Sequence, residues 1–168
     1  MTEIKKLNKE QLKELIPIYK ETFKVHNIFE QEDNKILEYL EYTLEKTTKN
    51  DGCIFGAIVD NKIVGALILS KFQTGKDNHS LWKFRHVAIK EDQQGKGVGS
   101  LLIAEAEKEL QNLIQNNKIK TAKIEITVSE NEVRAVEFYE KNGFKVEGSL
   151  TNHYRWNETT FLLGKSVN

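Results

Sequence analysis

Cysteine, proline and net charge are what this chain of 168 residues has least of. Cys53 is the only cysteine, so no intrachain disulfide can form, which fits a reducing compartment and makes a cytoplasmic location the simplest expectation. Flanked by Ile54 and Phe55, it reads as a packed thiol, with no activating histidine or helix start beside it. Lys and Arg number 25, as do Asp and Glu, so the net charge of zero leaves no global electrostatic footprint for nucleic acid or an anionic membrane. No stretch approaches the ~18 consecutive apolar residues of a membrane span. The opening MTEIKKLNKE lacks the apolar centre of a signal peptide. Internal repeats and low-complexity tracts are missing too. So are Ser-His-Asp and Cys-His sets, and no metal-ligand spacing joins the four histidines and Cys53, so no metal is expected.

What is present suffices for one core. With 39% hydrophobic residues, residues 1–168 are expected to form a single α/β domain. Residues 2–7 alternate weakly around Ile4 and Leu7, as in an edge strand. Asn8 followed by Gln11 has the form of a helix cap, and Leu12, Leu15, Ile16, Tyr19 and Phe23 then mark an apolar stripe. Pro17, the lone proline, predicts a kink or local unwinding there. Ile36, Leu37, Leu40 and Leu44 mark a second helix. Residues 53–59 and 63–70 form a predicted hairpin around Asp60-Asn61-Lys62, and 73–80 a polar loop. A strand over 81–89, a helix fading at Gln115-Asn116-Asn117, and a one-faced strand over 123–128 follow. Residues 129–144 hold a further helix stopped at Asn142-Gly143, and 145–150 and 159–165 the last strand pair.

The stretch from His86 to Leu110 carries the chemistry. Gly95, Gly97 and Gly99 alternate in Gln94-Gly95-Lys96-Gly97-Val98-Gly99-Ser100, a poor composition for a strand or helix interior but one that lets backbone N–H groups converge on an outside ligand. Leu101, Leu102, Ala106, Leu110, Leu113 and Ile114 then recur at helical spacing, so the turn precedes a helix N-terminus, which suits a phosphate or pyrophosphate. The dinucleotide fingerprint fails in both registers, with Ser100 or Leu102 where its last glycine belongs. A P-loop fails as well, with Lys90 at its first glycine and Gly97 at its hydroxyl.

The segment resembles instead the coenzyme A loop of the GNAT acetyltransferase superfamily: Gln or Arg, two residues, Gly, one residue, then Gly or Ala. Gln94, Gly97 and Gly99 fill it. A second motif of that family is matched by Ala135, Phe138, Tyr139, Gly143 and Phe144. The family's asparagine lies seven residues before the tyrosine; here that place holds Glu132, with Asn131 one position earlier. The order of elements agrees over nearly the whole chain. The resemblance implies a mixed, mostly antiparallel sheet of about seven strands with about four helices, splayed between strands 4 and 5.

It also implies direct transfer of an acetyl group from acetyl-CoA to an amine, without a covalent acyl-enzyme. The N–H groups of Gln94, Gly95, Lys96, Gly97, Val98, Gly99 and Ser100 would hold the pyrophosphate, helped by the Lys96 and Ser100 side chains. The edge of Val87, Ala88 and Ile89 would pair with the pantetheine arm, and an N–H of Val87 or Ala88 would meet the thioester oxygen. Tyr139 would donate to the departing thiolate, and Asn131 would touch the cofactor. The base stays open. Histone-type members place a carboxylate on the fourth strand, where this chain has Lys83; His86, Glu125, His153 or water are the alternatives, set against a packed, a solvated and a loop residue respectively. In the family, the link over 25–34 shapes the acceptor pocket and the final hairpin, with its loop over 151–158, borders it. A protein N-terminus, a lysine, a polyamine and a small antibiotic-like amine all fit as acceptors. A homodimer would be ordinary for the family. The rival expectation is a GNAT-fold module that senses acyl-CoA without turnover.

Overall fold

Apolar residues spaced along 33–48 bury Ile36 and Leu40 one turn apart, and Asn8 and Gln11 exchange side-chain and backbone hydrogen bonds in a capping box. These two local choices set the helical layer of a computed structural model that describes residues 1–24 and 26–168. Val25, the first residue of the link over 25–34, lies outside the described residues.

Seven strands and four α-helices are present among the described residues. The strands are β1 (Glu3–Lys6), β2 (Cys53–Val59), β3 (Lys62–Thr74), β4 (His79–Ile89), β5 (Thr121–Ser129), β6 (Lys145–Thr151) and β7 (Thr159–Val167). The helices are α1 (Leu15–Thr22), α2 (Asp33–Thr48), α3 (Val98–Gln115) and α4 (Val133–Lys141). Hydrogen bonding orders the strands β1-β2-β3-β4-β5-β7-β6. The β1–β2, β2–β3, β5–β7 and β6–β7 pairs are antiparallel, and β4–β5 is parallel. This mixed arrangement is the one the resemblance implied.

The chain divides into two compact units, Met1–Lys71 with Phe84–Lys108, and Phe72–Lys83 with Glu109–Asn168. In the first, Leu12, Leu15 and Ile18 from the N-terminal helical segment and Ile36 and Leu40 from α2 pack with Ile54, Ile68 and Ala88, all buried. In the second, the β4–β5 ladder runs from His79 opposite Thr121 to Lys83 opposite Glu125, and the remainder of β4 belongs to the first unit. Trp82 is fully buried there, with its indole N–H donated to Ser80 Oγ at 2.7 Å.

Three local expectations are refined. The first helix begins as a 3₁₀ segment, Lys9–Glu14, and becomes α-helical only at Leu15, which puts Pro17 in the first turn of α1, where its missing N–H leaves no intrahelical bond broken. Asp60 and Asn61 both take left-handed φ, +48° and +62°, the twist a two-residue hairpin turn needs. The polar loop predicted over 73–80 is shorter, because β3 runs on to Thr74 and β4 starts at His79.

Candidate active site

The second half of β4 leads through a short 3₁₀ turn, Glu91–Gln93, into the glycine turn and α3. Lys90 N–H is donated to Val64 C=O at 2.8 Å, which fixes the end of the strand. Glu21 of α1 accepts from Glu91 N–H at 3.3 Å, and the Gln94 side-chain amide donates back to Ile89 C=O at 3.1 Å. Gln94 therefore braces the turn from within. Gly95 and Gly97 take φ of +72° and +82°, and a Cβ at either would meet nothing within 4 Å. Packing does not demand glycine at these places; the backbone conformation does, and it leaves the face of the turn open. Leu101 N–H closes on Gly97 C=O at 3.1 Å, so by helix geometry the N–H groups of Val98, Gly99 and Ser100 precede the first intrahelical partner. Buried Val98, Leu102, Ile103 and Ala106 anchor the helix beneath them. The turn can present convergent donors and a positive dipole end to an anion.

Upstream, His86 takes a left-handed φ of +46° within β4. A histidine in that conformation inside a strand is strained. Its ring is surrounded by those of Tyr19, Phe23, His26, Phe29 and Tyr39, with centroids 5.0–5.8 Å away. The Tyr39 hydroxyl lies 2.6 Å from His86 Nε2. Burial, and then the neighbouring His26 and Arg85, push the His86 pKa down to about 4, so the imidazole is neutral at neutral pH. Tyr39 was not among the sequence candidates. Nothing in its neighbourhood marks it, since only the tertiary fold brings α2 to β4.

The second unit holds the other candidates. Tyr139 sits on α4, buried, its ring 5.1 Å from that of Phe138 and 5.5 Å from that of Phe144. Burial, with Glu132 adding to it, raises its phenol above the ordinary value, so it stays protonated. The helix stops where expected: Gly143 takes a φ of +86°, and Phe144 N–H returns to Tyr139 C=O at 3.0 Å. Asn131 is exposed in the turn before α4, its N–H donated to Ser129 Oγ at 3.2 Å. Glu125 lies 3.5 Å from Lys123, whose ammonium also meets Glu147 at 2.5 Å; the Glu147 hydrogen bond raises the Lys123 pKa. His153 is exposed and packs edge-on to Tyr154, whose hydroxyl is 2.9 Å from Thr127 Oγ1. Val87 to Ser100 thus share the first unit, whereas Tyr139, Asn131, Glu125 and His153 belong to the second. Cys53 is buried at the start of β2. Among the described residues no helix is long and apolar enough to cross a membrane.

The strand, turn and helix in this order, within this strand sequence, define a class. The sequence profile of the acetyltransferase (GNAT) domain matches residues 50–146, and the chain belongs to the GNAT acetyltransferase family. Among solved structures it is similar to an acetyltransferase of the GNAT family from Streptococcus pneumoniae, with a TM-score of 0.75, 18% identity and 100% of both chains covered. It is also similar to ribosomal-protein-alanine N-acetyltransferase from Brucella melitensis, with a TM-score of 0.74 and 17% identity over 97% of this chain and 98% of that one. Aminoglycoside 6'-acetyltransferase type Ii gives 0.73 and 16%, covering 99% of this chain and 97% of that one. At such identities the likeness describes the fold. A search of curated proteins finds no match.

Proposed function

We propose that residues 1–168 act as one acetyltransferase domain that moves the acetyl group of acetyl-CoA directly to a primary amine of a peptide, a protein or a small molecule. The observation that carries this reading is the open, left-handed glycine turn at the start of α3. Its N–H groups, from Gln94 to Ser100, hold the pyrophosphate, with Lys96 adding charge. The edge of Val87, Ala88 and Ile89 pairs with the pantetheine amides, and an N–H of Val87 or Ala88 is donated to the thioester oxygen as negative charge grows there.

The amine lone pair attacks the carbonyl carbon, the C–N bond forms, and the C–S bond breaks as the intermediate collapses. Tyr139, kept protonated by burial, donates a hydrogen bond to the departing thiolate, which takes up a proton from solvent as the amine gives up its own to solvent. His86 is a weak proton acceptor when its conjugate acid has a pKa of about 4, and Glu125 lies 3.5 Å from the Lys123 ammonium. Asn131 is the remaining cofactor contact in this scheme. A cytoplasmic setting belongs to the same reading, supported by the buried single thiol, and no step needs a second copy of the chain.

The test is thiol release from acetyl-CoA across a panel of amines and peptides, with mass-spectrometric identification of the acetylated species. Tyr139→Phe is expected to lower kcat about 100-fold where chemistry limits the rate, with the KM for acetyl-CoA little changed. Unchanged turnover removes Tyr139 from the reaction. If none of His86, Glu125, His153 or a water serves as base, the alternative is a sensor that binds acyl-CoA without transfer. Tight CoA binding with no acetylated product from any acceptor would select it.

A further inference from the structure

The His86 imidazole has no part in that chemistry, yet it is held from several sides. Five rings drawn from α1, the segment after it and α2 enclose one imidazole, and a 2.6 Å hydrogen bond to Tyr39 fixes the direction in which Nε2 points. The backbone bearing that imidazole is left-handed, at +46°, in the middle of a strand. A left-handed residue reverses the alternation of N–H and C=O directions on which a ladder depends, so whatever holds His86 there decides where the next amides face. Those next amides are Val87 and Ala88.

We propose that Tyr39 and the aromatic enclosure act as a clamp on the His86 ring, and that His86 and Tyr39 are positioning residues which, by holding the left-handed residue in β4, aim the N–H of Val87 or Ala88 at the acyl thioester. This rests on the acetyltransferase reading above for its last clause only. The first clause, that the clamp sets the backbone of β4, stands on the geometry alone. A ring without charge suits the task, because a neutral imidazole with its proton on Nδ1 accepts the Tyr39 O–H at Nε2 and can lie among aromatic faces without a counter-ion.

Tyr39→Phe removes one oxygen and keeps the ring, so packing is preserved. The experiment uses the full chain, uniformly labelled with nitrogen-15, and measures three things: thermal unfolding, the amide resonances, and kcat and KM for acetyl-CoA. Tyr39→Phe is expected to leave the melting temperature within a few degrees and to shift the Val87 and Ala88 amide signals while those of Gly97 and Gly99 stay in place. It should lower kcat roughly 10- to 100-fold with the KM for acetyl-CoA near that of the wild type. His86→Gly, which permits the left-handed backbone without the ring, should lower kcat by a similar factor with the KM for acetyl-CoA again little changed, so that the effect is traced to the clamp rather than to the hydroxyl alone.

Val87 and Ala88 signals that stay in place in Tyr39→Phe overturn the proposal, whatever the activity. Moved signals with wild-type kcat overturn its catalytic clause. A wild-type protein that turns over no acetyl-CoA sinks the acetyltransferase reading instead, and the amide signals still decide whether the clamp exists.

Discussion

Two segments only a few residues apart place left-handed backbone in the same part of the first unit, and they do so by opposite means. In the turn, Gly95 and Gly97 adopt positive φ without strain, and the space where a Cβ would stand is empty. At His86 the same region of φ is imposed on a bulky residue and held by five rings, one of them the phenol whose hydroxyl lies 2.6 Å from Nε2. The first solution leaves a surface free for an outside anion; the second crowds the side chain itself with rings. Left-handed geometry therefore marks both, and only the filling of space tells a binding surface from a support.

The contrast breaks most visibly at Gly97. Asp tolerates left-handed φ better than most residues, and no neighbour stands within 4 Å of a Cβ there, so Gly97→Asp should fold nearly as well as the wild type. Placing a carboxylate among donors meant for phosphate should nonetheless weaken CoA binding about 100-fold or more, a loss of about 3 kcal/mol. Calorimetric titration with CoA, run beside a thermal melt, reads both. Retained affinity would mean that the open face of the turn is not where the anion sits.

The two segments also differ in how well the sequence announces them. Alternating glycines before a helical apolar stripe carry their meaning locally, because glycine is the residue that positive φ selects, and the Gln94, Gly97, Gly99 spacing named the family. Strands and helices with a clear period were legible for the same reason: Ala122, Ile124 and Val128 are buried along β5 while Lys123 and Glu125 are not, as one-faced alternation requires. His86 gave no such sign. A histidine among apolar strand residues looks like any packed histidine, and its hydroxyl partner lies 47 positions earlier on another element. The 3₁₀ start of the first helix was equally hidden, since a stripe such as Leu12, Leu15, Ile16 and Tyr19 fits either helix in its first turns, and the choice rests on where Pro17 can sit.

Acidification probes the filled segment and should spare the open one. Burial, then His26 and Arg85, lower the His86 pKa to about 4 from an ordinary value of 6.5. Between those values the unfolded chain binds a proton that the folded chain refuses, so stability is complete above about pH 6.5, falls as the pH is lowered through the interval, and stops falling from this cause below about pH 4. Partial exposure of the ring reduces the effect to about 2 kcal/mol across the window. Urea unfolding at about pH 7.5 and about pH 4.5 should show the wild type losing that much more than His86→Gln, which keeps a polar group near Tyr39 and cannot titrate in this range. Equal losses would place the imidazole in solvent-like surroundings and dissolve the contrast with the turn.

The smallest effect lies in the enclosure itself. Tyr19 is fully buried against His86 and Phe29, and its hydroxyl has no hydrogen-bond partner among the described residues. Burial raises its pKa, with Tyr39 adding to the shift, so the group is a neutral phenol whose O–H has been taken from water with nothing given in return. If Tyr19 serves the enclosure by packing alone, Tyr19→Phe keeps every ring contact, removes the unsatisfied oxygen, and should stabilise the fold by about 1 kcal/mol, read as a higher urea midpoint at unchanged slope. Loss of stability of similar size would show instead that the hydroxyl is hydrogen-bonded to a buried water. The enclosure would then have a polar interior, and the division between a segment open to ligands and one closed upon itself would need to be redrawn.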